Sequence, residues 1–245
     1  MSRKAKILVI LGPTASGKSA LAVKIAKAFK GEIISADSRQ IYKGLNVAAN
    51  KITKKEMAGI KHYLLDVVYP NQDFTLYDWQ KQAFQTIKKI INRKKLPIIC
   101  GGTGLYICSV LQNYDLHPTT PRLRNCPYDF LVLGLSLNRT LLYERINQRA
   151  KKMIRDGSLN EAKKLYRKYP NKNLPALSGI GYRELIQYLD KKITLPQAIE
   201  LIQKNTRHYA KRQMTWFRRM ERQGIKIHWN LSPLESKKLI KNFLE

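Results

Sequence analysis

Acidic side chains are scarce in this sequence. Asp and Glu number 17 against 46 Lys and Arg, so the formal charge is +29 and the pI is near 10.1. Self-repulsion of that size is tolerated when the partner is a polyanion, which points to nucleic acid. A generally lysine-rich surface explains the same number. The even spread of Lys favours that explanation, whereas local Arg clusters favour a binding face. Cysteine is sparser still: Cys100, Cys108 and Cys126 form no C-x-x-C pair and have no histidine cluster beside them. Neither a disulfide framework nor a structural zinc site fits cysteines so placed. Cys100, inside the apolar run Leu96–Cys100, reads as a small buried hydrophobe. Long apolar runs are missing as well. No stretch reaches the length of a membrane span. Met1–Lys6 leads straight into a short apolar run rather than a secretory leader. A cytoplasmic protein with no membrane partner is expected.

What is present is a globular composition, 44% hydrophobic over 245 residues, enough to bury a full core. Short apolar runs at Ile7–Leu11, Glu32–Ala36, Tyr63–Val68, Pro97–Cys100 and Phe130–Ser136 read as strands, with Ile225–Trp229 as a last short one. Amphipathic stretches at Lys18–Phe29 and Leu76–Arg93 read as helices, another helix begins near Gly104, and helices fill most of the chain to Arg222. Strands alternating with helices predict an α/β fold: a P-loop NTPase-like parallel sheet covered by helices on both faces, with a helical C-terminal part. Ligands in such sheets bind at the carboxyl ends of strands. Gly12, Asp37 and Gly101 each follow a strand and are therefore expected at one rim. Leu111–Tyr128, with Pro118, Pro121 and Pro127, interrupts the alternation. It divides the chain into a P-loop core over 1–110, a short segment over 111–128, and a strand plus C-terminal helices over 129–245.

Gly12-Pro13-Thr14-Ala15-Ser16-Gly17-Lys18-Ser19 fits G-x-x-x-x-G-K-[ST] at every fixed position and sits between strand and helix, as its mechanics require. Glycines let backbone N–H groups turn inward around phosphate oxygens, and the helix N-terminus adds its dipole. Lys18 is placed to reach the terminal phosphates and the Ser19 hydroxyl to ligate Mg²⁺. The loop specifies a polyphosphate or a pyrophosphate without choosing between them. After the second strand comes Asp37-Ser38-Arg39-Gln40. A carboxylate facing a phosphate loop serves as Mg²⁺ ligand or general base; an Asx turn or helix cap is the plainer reading. Gln40 carries the amide geometry to bond an adenine edge. Gly101-Gly102-Thr103-Gly104 suits close approach to a ligand, and equally a simple strand-to-helix turn. Arg207–Arg222 holds Arg207, Lys211, Arg212, Arg218, Arg219 and Arg222 against Glu221 alone, with Trp216 and Phe217 between them. Basic residues with interleaved aromatics hold phosphates and stack bases, or the aromatics dock on the core.

GPTASGKSALA, EIISADSRQIYKG, PIICGGTGLY, GIGYRELIQYL and TRHYAKRQMTWFRR together resemble the successive signature blocks of the tRNA dimethylallyltransferase family, in the family's order. With the weaker matches GIKHYLLDV and YERINQRAKKM they cover nearly the whole chain except Leu111–Tyr128. GPTASGKS is shared with many kinases, whereas ISADSRQIY and AKRQ-x-TW are far more specific. The resemblance implies transfer of an isoprenoid group from dimethylallyl diphosphate to N6 of the adenosine just 3′ of the anticodon. It makes Asp37 the general base. It sets Lys18, the Thr14 hydroxyl and the loop Gly12–Ser19 on the departing pyrophosphate, with Mg²⁺ on Ser19. Arg149, which by spacing alone is a solvated helix position beside Arg145, matches the family arginine that reaches the pyrophosphate. Ser38, Gln40 and Thr103 match positions that contact the target nucleotide, and Asp37, Arg39, Arg207, Lys211, Arg212, Gln213 and Arg218 complete the expected tRNA face.

Two departures from the family pattern stand out. Its members carry a helical insertion, with an NDxxR-type segment that grips the anticodon stem-loop, between the GGT-x-LY block and the next strand. Here only Leu111–Tyr128 occupies that place, and Arg122 and Arg124 are the candidates to replace part of its charge. Where the family reads GTAKP, this chain has Ala48-Ala49-Asn50-Lys51-Ile52, keeping only Lys51. A monomeric tRNA prenyltransferase of minimal type is the expectation. A P-loop nucleotide or small-molecule kinase, a prenyltransferase acting on free adenylate, and a non-catalytic RNA-binding protein are the alternatives.

Overall fold

The computed structural model describes residues 4–116 and 126–245. Arg122 and Arg124 lie outside the described residues. Its first half alternates strand β1 (Ala5–Leu11), helix α1 (Lys18–Ala28), β2 (Gly31–Ala36), α2 (Lys54–Met57), β3 (His62–Tyr63), α3 (Leu76–Asn92), β4 (Leu96–Gly101) and α4 (Gly104–Leu111). The second half adds β5 (Tyr128–Gly134), then α5 (Arg139–Arg155), α6 (Ser158–Lys168), α7 (Tyr182–Leu189) and α8 (Leu195–Arg222). Strand β6 (Ile227–Trp229) and α9 (Pro233–Leu244) close the chain. A short 3-10 turn at Pro175–Ser178 separates α6 from α7.

The six strands of the described residues form one parallel sheet in the order β3-β2-β4-β1-β5-β6. Strand period divides β1 between two cores. Ile7, Val9 and Leu11 face one, which takes residues from α3, α4, α6, α7 and α8; Leu8 and Ile10 face the other, built with α1 and α9. Both faces are thus covered, as a parallel sheet requires. Since 129–245 supplies two of the six strands, it is woven into the same sheet as the P-loop segment.

Register delivers the site. Leu11 pairs with Gly101 and with Gly134, and Ala36 also pairs with Gly101. Four strands therefore end level, and the chain leaves them side by side at Gly12, Asp37, Gly102 and Leu135. The sheet tolerates this only with glycine at the crowded points. A Cβ on Gly12 would stand 2.4 Å from the Leu135 carbonyl oxygen, and one on Gly101 2.1 Å from that of Ala36.

One expected strand is shorter than its composition suggests. Tyr63–Val68 pairs with β2 only at Tyr63, together with His62 before it. Leu64 and Asp66 then take left-handed φ of 59° and 52°. The chain bends away so that the Asp66 and Val67 amides donate to the carbonyls of Gln40 and Ile41. The apolar run is spent on bracing the turn after β2, not on lengthening the sheet. The strand expected at Phe130–Ser136 runs instead from Tyr128 to Gly134, and the last one begins at Ile227.

Candidate active site

The loop Gly12–Ser19 is built for an anion. Ala15 and Gly17 have positive φ, 65° and 95°, on either side of Ser16. That alternation turns successive N–H groups inward. No side chain caps the N-terminus of α1, so its first-turn amides are left to a ligand. Lys18 lies folded over the loop with Nζ 3.4 Å from the Pro13 carbonyl. Burial lowers its pKa, and the neighbouring Arg149 lowers it further against the pull of Asp37.

A cavity of about 550 Å³ opens over this rim. Thr14, Lys18 and Ser19 line it from the loop, Asp37, Ser38, Arg39 and Gln40 from the turn after β2, Arg149 from α5, and Arg212 and Gln213 from α8. Among the described residues its wall holds five cations, Lys18, Arg39, Arg149, Arg183 and Arg212, and a single carboxylate, Asp37. Such a wall suits an anionic ligand and provides one place for a proton to go. Arg207, Lys211 and Arg218 stand outside this wall. Arg207 donates to Asn147 Oδ1 at 2.7 Å, and the other two are exposed along α8.

Several expected ligand contacts also have partners within the protein. Asp37 Oδ1 accepts the Arg39 amide at 2.9 Å, so the Asx turn is present at the same residue that lines the cavity. Arg39 donates to the Pro175 carbonyl at 2.6 Å. Gln40 donates to the Asn50 carbonyl at 3.0 Å. Thr103 lies just behind the wall, where its hydroxyl accepts the Ser38 amide at 3.1 Å. Gln213 is buried and spans the rim: its Oε1 accepts from the Thr14 amide and its Nε2 donates to the Gly102 carbonyl, both at 2.9 Å. It thereby ties the phosphate loop to the end of β4. Lys51, the survivor of the GTAKP block, donates to the Tyr42 carbonyl and pairs with Asp66 at 2.6 Å. It staples its own loop.

The glycines after β4 are explained by these neighbours. A Cβ on Gly102 would lie 2.2 Å from Gln213 Nε2, and one on Gly104 2.0 Å from Trp216 Cδ1. Trp216 packs against the core, with Nε1 3.4 Å from Cys108 Sγ, and Phe217 is fully buried. The docking reading of these aromatics holds. Cys100 is likewise buried, and desolvation pushes its thiol up to about 11, so it is inert as a nucleophile.

Sequence reasoning assigned no role to several side chains that meet here. Tyr209 lines the cavity beside Asp37 and shares a hydrogen bond with Thr103; burial pushes its phenol up to about 12, keeping it neutral and able to donate. Glu184 is wholly buried, and its carboxylate accepts from the Gly181 amide, Arg183 and Asn205. It thereby holds two cavity-lining donors. Tyr182 and Arg183 sit in the GIGYREL block and Tyr209 in TRHYAKRQ, but nothing local in either block says which residues turn inward.

The IPP transferase family model matches residues 40–126 and 116–220. A tRNA dimethylallyltransferase of Streptococcus gordonii is 39% identical over 296 aligned positions, covering 99% of each chain. One from a Thermoanaerobacter species is also 39% identical, covering 87% of this chain and 89% of its own. Among solved structures, the full-length tRNA isopentenylpyrophosphate transferase of Bacillus halodurans superposes with a TM-score of 0.87 at 32% identity. It covers 98% of this chain and 96% of that one. The corresponding transferase of Staphylococcus epidermidis gives 0.85 at 32% identity, covering 98% and 99%. The first alignment is longer than this chain, so that relative carries residues absent here. The two stretches matched by the family model meet at 116–126, inside the segment where the sequence places a shortened insertion.

Proposed function

The chain belongs to the IPP transferase family, and we propose that it transfers a dimethylallyl group from dimethylallyl diphosphate to N6 of the adenosine just 3′ of the anticodon in a tRNA. The observation that carries this reading is the lone carboxylate: Asp37 shares a cation-lined cavity with the phosphate loop. N6 of the adenine attacks C1 of the allyl group. The C1–O bond breaks, its electron pair leaves on the diphosphate, and the N6 proton passes to the Asp37 carboxylate. The exocyclic amine is a weak nucleophile, so stabilising the leaving group dominates. Lys18, Arg149, the Thr14 hydroxyl and the first-turn amides of α1 are the donors for it. Tyr209 and Ser38, on the Asp37 side, would orient the base.

Mg²⁺ fits the residues present. Ser19 is exposed at the cavity wall next to Lys18, and no cluster of three or more acidic, His or Cys ligands occurs among the described residues. Mg²⁺ keeps several waters and takes few protein ligands when phosphates are present, so one hydroxyl with diphosphate oxygens is a sufficient set. When bound, it would offset the negative charge that gathers on the diphosphate.

Purified protein with Mg²⁺ and labelled dimethylallyl diphosphate is offered an anticodon stem-loop or AMP. Label is expected on the stem-loop alone. Label on AMP instead would convert the reading to an adenylate prenyltransferase. ATP hydrolysis with no labelled acceptor would sink prenyl transfer altogether.

A further inference from the structure

The cavity is polar at the loop, and α5 adds the apolar Ile146, Ala150 and Met153 to its wall beside Arg149. Arg149 and Met153 both line it, four residues and therefore about 6 Å apart along the helix axis. That separation is comparable with the reach of a five-carbon allyl group from its diphosphate. Met153 is 5% exposed, and Ala48, also lining the cavity, is 4% exposed. A Cβ built on Gly181 would stand 3.5 Å from Met153 Cε and 3.0 Å from the Ala48 Cβ. The methionine tip and the Ala48 methyl, both on the cavity wall, thus come together over the bare Gly181 between the lining residues Ile180 and Tyr182.

The wall behind them is braced. Glu161 on α6 accepts the amides of Asn46 and Val47 at 2.9 and 3.0 Å and that of Ala48 at 3.3 Å. Its carboxylate also takes the hydroxyl of Tyr182. Moving the 46–48 loop outward would strip several hydrogen bonds from one carboxylate, so the loop does not yield cheaply. Gly181 is held by the hydrogen bond that its N–H donates to the carboxylate of buried Glu184, at 2.7 Å. Ala48 has one methyl to give up and Gly181 none. Met153 has the longest side chain of the three.

Resting on the prenyl-transfer reading, we propose that Met153 is the donor-length gate of this site: its thioether leaves room for a five-carbon allylic diphosphate and excludes a ten-carbon one. The test is the ratio of kcat/KM for geranyl over dimethylallyl diphosphate, with an anticodon stem-loop as acceptor. Met153→Ala is expected to raise that ratio at least about tenfold, and Met153→Phe to lower kcat/KM for the five-carbon donor by a similar factor. Because emptying a buried methionine's place costs stability, Met153→Val serves as the milder companion, with a shift in the same direction. A ratio that stays within about twofold of wild type in whichever of Met153→Ala and Met153→Val is folded overturns the gate. If the wild type itself transfers nothing from the five-carbon donor, the prenyl-transfer reading fails and takes the gate with it. Transfer with an unmoved ratio rejects the gate alone.

Discussion

Asp37 combines a turn and a proposed proton acceptor in one side chain, and the two roles can be separated by substitution. Asparagine preserves the Asx hydrogen bond to the Arg39 amide but cannot take the N6 proton. Asp37→Asn is therefore expected to lower kcat by about 10²- to 10⁴-fold, the usual worth of a positioned general base, while stem-loop affinity stays within about twofold. A large loss of RNA binding in that variant would recast Asp37 as a recognition residue. Lys18 supplies a prediction with a sign. Burial lowers its pKa in the free protein, and an arriving diphosphate anion raises it again. Between those two values, binding takes up a proton, so donor affinity falls as pH rises through that window. In the free protein the sense for stability is opposite. Between the lowered value and the ordinary 10.5 the unfolded chain binds more protons, so stability rises with pH there. Calorimetry of pyrophosphate binding at alkaline pH, in two buffers of different ionisation heat, should show net proton uptake that Lys18→Arg reduces. Equal heats in both buffers would contradict it.

Helix α8 is the element that joins the parts. It packs on α4, α5 and α7, and its buried residues Ala198, Ile202, Ala210, Gln213, Phe217 and Met220 recur at helical spacing. The exposed side carries Lys211 and Arg218 to solvent. Gln213→Leu leaves the Thr14 amide and the Gly102 carbonyl without their partner, each worth about 1–3 kcal/mol when buried. Thermal stability should fall and the donor KM rise several-fold, because the phosphate loop loses its tie to β4. Trp216→Ala tests the other half of the basic block. Its ring fills the space over Gly104, so the change should cost roughly 2–3 kcal/mol, less than a fully buried tryptophan, and leave stem-loop affinity within about twofold. Stability unchanged with a tenfold loss of RNA binding would return Trp216 to a stacking role.

At the scale of the molecule, a charge of +29 acts as a field more than as a set of contacts. Affinity for the stem-loop should fall linearly on a log–log plot against salt, each neutralised phosphate adding about 0.9 to the slope for duplex and about 0.7 for single strand. Titration of stem-loop binding from low to physiological salt checks it, and a shallow slope would mean that base contacts dominate.

The sequence by itself determined the P-loop, the alternation of strand and helix, and the meeting of Gly12, Asp37 and Gly101 at one rim. Each follows from local chemistry: glycine spacing, apolar period, and the rule that parallel strands end together. It misjudged Tyr63–Val68, because a short apolar run looks the same whether it extends a strand or folds back at left-handed Leu64 and Asp66. Tertiary structure alone brought Arg183 to the cavity wall and left Lys211 and Arg218 facing solvent. It also turned Gln213 inward onto partners 199 and 111 residues away. Helical period names a buried face but not what that face meets, and that is settled only when distant elements pack.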